Sequence, residues 1–185
     1  MLKSQRIHIV LLGCPGVGKF TTGKLLSKTL GCPLFDNAKV VDIVSLIYEF
    51  GTSDFITYRD ELRKDFYFRF LTQKNNGFLI STNVIRTKKN WEYFDELERL
   101  FTDHGWRTHY FVLTASEEVL LQRVENPSRL SKQTIMNPSY LKDWLARNPE
   151  HSFCDKENST FIDISYCTVE QTVFEIIETL QRYDS

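Results

Sequence analysis

Six residues near the start, Ile7 to Leu12 (IHIVLL), are aliphatic or β-branched with only His8 between them, and they stop at Gly13. A short apolar run bounded by a turn signal predicts a strand buried on both faces. From Gly18 to Leu30 the spacing changes to a helical one, with Leu25, Leu26 and Leu30 on one face and Gly31 as the stop. The alternation then repeats. Cys32 to Phe35 predicts a second strand, Val40 to Phe50 a helix with Val40, Val41, Val44 and Ile47 apolar, and Phe55 to Gln73 a longer helix capped by Ser53 or Asp54. Asn75-Asn76-Gly77 signals a turn before a third strand, Phe78 to Thr82. A helix over Trp91 to His104, closed by Gly105, precedes a fourth strand, His109 to Leu113, and a helix over Glu117 to Glu125. Asn126-Pro127-Ser128 and Asn137-Pro138 interrupt the pattern around a short helix, Tyr140 to Ala146; a last strand, Thr160 to Ile164, leads into an amphipathic helix, Val169 to Arg182. Five strands alternating with helices predict an α/β fold of three layers, a mostly parallel five-stranded sheet with helices on both faces. The ligand belongs at the carboxyl ends of such strands. No repeat or linker divides the 185 residues, so one domain is expected over 1–185, with the proline-containing stretch from about 126 to 149 as a lid.

The first strand–helix junction carries the chemistry. Gly13-Cys14-Pro15-Gly16-Val17-Gly18-Lys19 matches the phosphate-loop pattern G-x-x-x-x-G-K. Its glycines let successive N–H groups turn inward around a phosphate, the helix start adds positive potential, and Lys19 places a point charge on the outer phosphates. The pattern's next position is a Ser or Thr that contacts magnesium; here it is Phe20, which has no oxygen. Thr21 and Thr22 follow, as hydroxyls for a phosphate or as ordinary first-turn residues.

Charge and composition narrow the classes. Twenty-three basic and twenty-four acidic residues give a net charge of -1 and no basic stripe, which disfavours a nucleic-acid enzyme or a membrane-surface protein. Cys14, Cys32, Cys154 and Cys167 have neither C-x-x-C nor zinc spacing, and His8, His104, His109 and His151 have no ligand spacing, so no protein-borne metal site is expected. No signal peptide and no apolar run of membrane-spanning length appears, so a soluble, cytoplasmic protein is expected. The absence of an Asn-Lys-x-Asp guanine motif disfavours a GTPase.

The run LLGCPGVGKFTTGKLL resembles the small-molecule and nucleotide kinases of the phosphate-loop class, the adenylate-kinase and shikimate-kinase groups. Adenylate kinases have Gly at the place of Phe20 and Thr at that of Thr21, and an aspartate where Ser81 stands after Gly77-Phe78-Leu79-Ile80. A closer resemblance is to bacterial AAA-family or shikimate-kinase-like proteins, carried by the bulky residue after the lysine, by Phe35-Asp36-Asn37-Ala38-Lys39-Val40-Val41-Asp42, and by Glu125-Asn126-Pro127-Ser128-Arg129. A true AAA+ motor is disfavoured by the short chain and by the lack of a strand ending in Asp-Glu.

The resemblance implies an ATP-dependent transfer of the γ-phosphoryl group to a small hydroxyl- or phosphate-bearing acceptor, with Mg2+ held mainly by phosphates and water. The rival reading is an NTP-binding switch with little chemistry, which Phe20 and Ser81 favour. Residues 13–22 and the lid-side Arg123 and Arg129 are the expected nucleotide contacts, with Lys132 a weaker third. Asp36 and Asp42 compete as the carboxylate that orients the acceptor, each with an alternative role at a helix start. Asn37 either touches the acceptor or caps a helix. Arg59 and Arg63, four apart, either face an anionic acceptor or pair with Asp60, Glu61 or Asp65. Arg86, Lys88 and Lys89 lie beyond the third strand, and Phe66, Tyr67, Phe68 and Phe70 are expected in the core. The expected partners are a nucleoside triphosphate and a small molecule, with no nucleic acid and no membrane; the oligomeric state stays open. Replacing Lys19 with Ala should abolish tight ATP binding, and calorimetry showing unchanged ATP affinity would remove the phosphate-loop assignment.

Overall fold

A computed structural model describes residues 6–73, 77–85, 90–125 and 137–183. Its strands are β1 (Arg6–Leu12), β2 (Leu34–Asp36), β3 (Gly77–Thr82), β4 (Arg107–Thr114) and β5 (Ser159–Asp163). The helices between and after them are α1 (Lys19–Leu30), α2 (Asn37–Val44), α3 (Ser53–Thr72), α4 (Asn90–Asp103), α5 (Glu117–Val124), α6 (Pro138–Arg147) and α7 (Val169–Arg182). All pairings are parallel, in the order β2-β3-β1-β4-β5. The expected "mostly parallel" sheet is therefore parallel throughout.

The period of two in β1 distributes its side chains to two cores. Ile7, Ile9 and Leu11 pack on one face with Leu26 of α1 and Val173, Ile176 and Leu180 of α7. Val10 and Leu12 pack on the other with Trp91 and Phe94 of α4. His8 shares that second face, stacked on Phe101 with ring centroids 3.9 Å apart and edge-on to Tyr67 at 5.6 Å. Of the aromatic run in α3, Tyr67 is fully buried and Phe66 and Phe70 pack against its cluster, while Phe68 is exposed.

Element boundaries moved where side chains far apart in sequence intervene. The helix expected over Val40 to Phe50 begins at Asn37, because Asp36 at the end of β2 caps it by accepting from the Ala38 amide. It ends at Val44, where the amides of Leu46 and Ile47 bond back only three residues, to the carbonyls of Ile43 and Val44. Ile43, Leu46 and Ile47 are exposed, so no apolar face sustains a further turn. The long helix is capped by Thr52 rather than by Ser53 or Asp54. Its successors needed smaller changes, and α7 has the expected bounds, started by a capping box between Thr168 and Gln171. Within the expected lid segment, α6 packs into the core through Leu141 and Trp144, while 126–136 lies outside the described residues.

Burial controls titration in this core. His8, fully buried, is pushed down from 6.5 to about 3, and desolvation takes the buried His109 down to about 4. Between those values and 6.5 the unfolded chain holds protons that the folded chain does not, so stability is complete above pH 6.5 and falls as the pH drops toward 3. His8 alone accounts for roughly 4 kcal/mol of that loss. Urea titrations from pH 7 to 4 should show this slope in the native protein and a shallower one in His8→Gln, whatever the variant's absolute stability; equal slopes would contradict the buried neutral imidazole.

Candidate functional site

The strands end level, because the register pairs Leu11 with Thr82 and Thr82 with Asp36. β1 lies between β3 and β4, so the chain reverses its direction of growth there, and the loop after β1 opens into the crevice at that point. Gly13 leaves the strand with φ +143, and a Cβ on it would lie 2.5 Å from the Leu113 carbonyl oxygen and 2.9 Å from Val17 Cγ1. Glycine is required here by space as well as by torsion. Gly16 and Gly18 also have positive φ, at 88° and 120°.

Gly18 caps α1 without a side-chain hydrogen bond, and the first turn contains no acidic residue. The amides at this helix start are therefore not taken by a capping side chain, as a phosphate cradle needs. Lys19 Nζ donates to the carbonyls of Gly13 and Cys14, both at 2.8 Å, which curls the ammonium over the loop. Pro15 and Gly16 are half-buried at its turn, and Val17 and Cys14 are buried beneath it. Phe20 is half-buried, Thr21 is exposed and Thr22 is 2% exposed. Of the two hydroxyls, Thr21 is the one the solvent side of the loop presents.

Arg123 reaches the loop from the last turn of α5. Its Nη1 donates to the Val17 carbonyl and its Nη2 to the Ile164 carbonyl, each at 2.8 Å. It thus ties the phosphate loop to the end of β5. Arg129 and Lys132 lie outside the described residues, as do Arg86, Lys88 and Lys89.

Across the crevice, Thr82 ends β3 and organises the end of β2. Its hydroxyl donates to Asp36 Oδ1 at 2.7 Å and accepts from the Asn37 amide at 3.2 Å. Among the described residues, the hydrogen bonds to the Asp36 carboxylate, from Thr82 and from the Ala38 amide at 3.4 Å, fall on Oδ1. Asp42 instead sits exposed on α2. The two carboxylates that the sequence left equivalent are thus placed differently, one held at the strand edge and the other on the solvent side.

Asn37 Oδ1 accepts from Arg63 Nε at 2.6 Å. Arg63 is 8% exposed, and burial lowers its pKa from the usual guanidinium value. Its guanidinium carbon lies 5.6 Å from the centroid of the Tyr93 ring. Arg59 and Arg63 both pair with Asp60, while Asp65 pairs with Arg69. Ser81, at the position of the adenylate-kinase aspartate, points away from the crevice: it is fully buried, with Oγ 2.8 Å from His8 Nε2. Thr82, Asn83 and Tyr93 were not singled out by sequence. Thr82 acts on Asp36 from 46 residues away, and no local spacing encodes that pairing.

Among the described residues, no group of three or more His, Cys, Asp or Glu is arranged to hold a metal, and no helix is long and apolar enough to cross a membrane. A groove of about 420 Å³ lined by Asp95, Glu98, Arg99 and Lys156 lies near the amino ends of β4 and β5, away from the loop.

A parallel sheet in this order, with a glycine loop after its central strand and a lysine at the following helix start, defines a phosphate-loop nucleotide-binding protein. More particularly, the chain belongs to the AAA domain family AAA_18, whose model matches residues 9–137. It is 28% identical to a shikimate kinase of Thermodesulfovibrio yellowstonii over 187 residues, covering 95% of each protein. It is 26% identical to a Dictyostelium discoideum protein named "Probable gluconokinase", covering 98% of this chain and 88% of the relative. Among solved structures, a gluconokinase from Sinorhizobium meliloti has the same fold, with a TM-score of 0.65 at 16% identity over 98% of this chain and 95% of the other.

The steric argument at Gly13 gives a direct test. Gly13→Ala should lose at least about 2 kcal/mol of stability in urea unfolding, as the loop or β4 shifts to relieve the clash. A variant as stable as the native protein would show that the loop does not pass this close to Leu113.

Proposed function

We propose that this chain is an ATP-dependent phosphotransferase that moves the γ-phosphoryl group to a small hydroxyl- or phosphate-bearing acceptor. The kinase class is supported by full-length relatives named as kinases and by a fold shared with other kinases. The observation that carries the mechanism is the one-sided grip on Asp36. With Oδ1 held by Thr82 and the Ala38 amide, this reading assigns Oδ2 to the acceptor hydroxyl.

In this reading the loop amides and Lys19 take the β- and γ-phosphates, whose charged oxygens replace the neutral carbonyls of Gly13 and Cys14 as partners of Nζ. The acceptor oxygen attacks the γ-phosphorus from the β2–β3 side. The new P–O bond forms as the bond to the β,γ-bridging oxygen breaks, and ADP leaves with that electron pair. Asp36 orients the hydroxyl and takes its proton late in the transfer. Mg2+ bound with ATP would supply charge neutralisation on the phosphates; Phe20 offers it no oxygen, so phosphate and water would hold it. Arg123 keeps the loop in shape through Val17, and Arg129 serves as the lid cation on the transferring group. Asn37 and Arg63 form the acceptor's wall, with Arg59 at its rim. Asp42 belongs to the solvent face of α2.

Acceptor-stimulated ADP release tests this reading, with shikimate, gluconate, neutral sugars and polyols, and nucleosides as acceptors. Asp36→Asn should lower kcat by about 100-fold or more with ATP affinity retained, and Asp42→Asn should stay within about two-fold of the native enzyme. A larger loss in Asp42→Asn would transfer the role to that residue. ADP release that no acceptor raises would favour the nucleotide switch, the reading that Phe20 supports.

A further inference from the structure

The two edges of the sheet are not alike. β2 offers three residues at one edge, and β5 offers five at the other. The Asn158 carbonyl accepts from the Tyr110 amide, and the Ile164 amide donates to the Thr114 carbonyl. The even-numbered residues from 158 to 164 therefore turn their backbone groups toward β4. Backbone direction alternates along a strand, so the amides and carbonyls of Ser159, Phe161 and Asp163 point away from the sheet. Among the described residues, no strand pairs with them. The Cys167 thiol donates to the Asp163 carbonyl at 3.5 Å, a weak bond that leaves the oxygen a second lone pair.

Edge strands are normally guarded by brevity, by proline, by outward charges or by a covering element. β5 contains no proline and one charged residue, Asp163. That carboxylate is folded back on its own turn, where Oδ1 accepts from the Ser165 amide at 2.9 Å and from the Ser165 hydroxyl at 2.6 Å. On the face packed by α7, a groove of about 320 Å³ separates Thr160 from Thr179, Arg182 and Tyr183, so the helix leaves room beside the strand. On the opposite face, Phe161 stands at the middle of β5. It is level with the fully buried Val112 of β4, yet it is 51% exposed. What it lacks is a neighbour on its outer side, the place of a further strand.

We propose that β5 pairs antiparallel with β5 of a second copy of this chain, about a two-fold axis at Phe161, to give a continuous ten-stranded sheet. Phe161 then lies opposite the partner's Phe161, and Ser159 opposite the partner's Asp163. All of these are positions with outward backbone groups, so each facing pair exchanges two N–H···O bonds. The register is selective. A slip of one residue sets outward groups against inward ones. A slip of two sets Asp163 against the partner's Glu157 in one direction, a like-charge pair, and against the partner's Phe161 in the other. The two-fold register alone joins the aromatic rings and leaves Asp163 beside a serine. One strand thus supplies both halves of a closed, isologous interface, which is why the occupant is a second copy. The two phosphate loops open at opposite ends of the joined sheet, so neither crevice is covered. The proposal does not rest on the kinase reading. Five paired residues a side make an interface below about 1,200 Å², so a weak dimer with a Kd of about 1–100 μM is expected.

Sedimentation velocity on the full chain should show a reversible monomer–dimer equilibrium. Phe161→Glu should weaken it at least about ten-fold, because two carboxylates then face each other, and Phe161→Lys should do the same with the opposite charge. Circular dichroism establishes that each variant is folded. Leu46→Glu places the same charge on the exposed apolar segment after α2 and should leave the dimer as it is. Amide hydrogen exchange of the native chain needs no substitution. The Phe161 amide should exchange at least about ten-fold more slowly well above the Kd than well below it, while the Leu34 amide at the other edge keeps one rate at both concentrations. The proposal is overturned if the native chain sediments as a monomer at about 1 mM. It is equally overturned if a dimer forms without slowing the Phe161 amide, or if Leu46→Glu dissociates the dimer and folded Phe161 variants do not.

Discussion

β1 is hydrogen-bonded along both edges and covered on both faces, and the site depends on that enclosure. A strand held by β3 and β4 and packed by α1, α4 and α7 has no freedom to slip by a residue, since a slip would send Ile9 and Leu11 to the face built for Val10 and Leu12. Its last residue therefore delivers Gly13 to one place, against the Leu113 carbonyl. The loop's conformation follows from that contact and from the positive φ of Gly13, Gly16 and Gly18. Rigidity of the sheet is thereby converted into a fixed position for Lys19 and the first amides of α1.

The two sides of the crevice are built by different means. On the nucleotide side, backbone groups and one lysine provide a phosphate cradle, and Arg123 locks it to the end of β5. On the side of β2 and β3, side chains do the work, in a chain of contacts from Thr82 to Asp36 and Asn37, and from Asn37 to Arg63 and Asp60. The first mode suits a ligand common to many enzymes, because backbone amides recognise phosphate whatever side chains surround them. The second suits a ligand particular to this one.

That division explains what could be read from the sequence. The loop is local in sequence, and every residue from Gly13 to Lys19 was identifiable by spacing, as were the five strands and the α7 boundaries. The bounds of α2 were not, because its cap is a residue at a strand end and its stop reflects the exposure of Ile43, Leu46 and Ile47. The different placements of Asp36 and Asp42 could not be read either, because the Thr82 hydroxyl that holds Asp36 arrives from another strand. The pairing of Arg59 and Arg63 had three acidic neighbours to choose from, and only the packed helix selects Asp60 for both. Ser81 looked like a lost magnesium contact by alignment of motifs, yet strand alternation turns it to His8 and gives the crevice to Thr82.

β2 has only three residues, joined to β3 at one edge of the sheet and, among the described residues, paired with no strand on the other. So short an edge strand offers little template for pairing with another chain. It also gives Asp36 and α2 few backbone bonds to the rest of the molecule, whereas the phosphate loop grows from the most enclosed strand. Local opening should thus be easiest at the β2 side of the crevice and hardest at the phosphate loop. In the proposed kinase reading, the molecule exchanges one small ligand while it keeps its grip on the other.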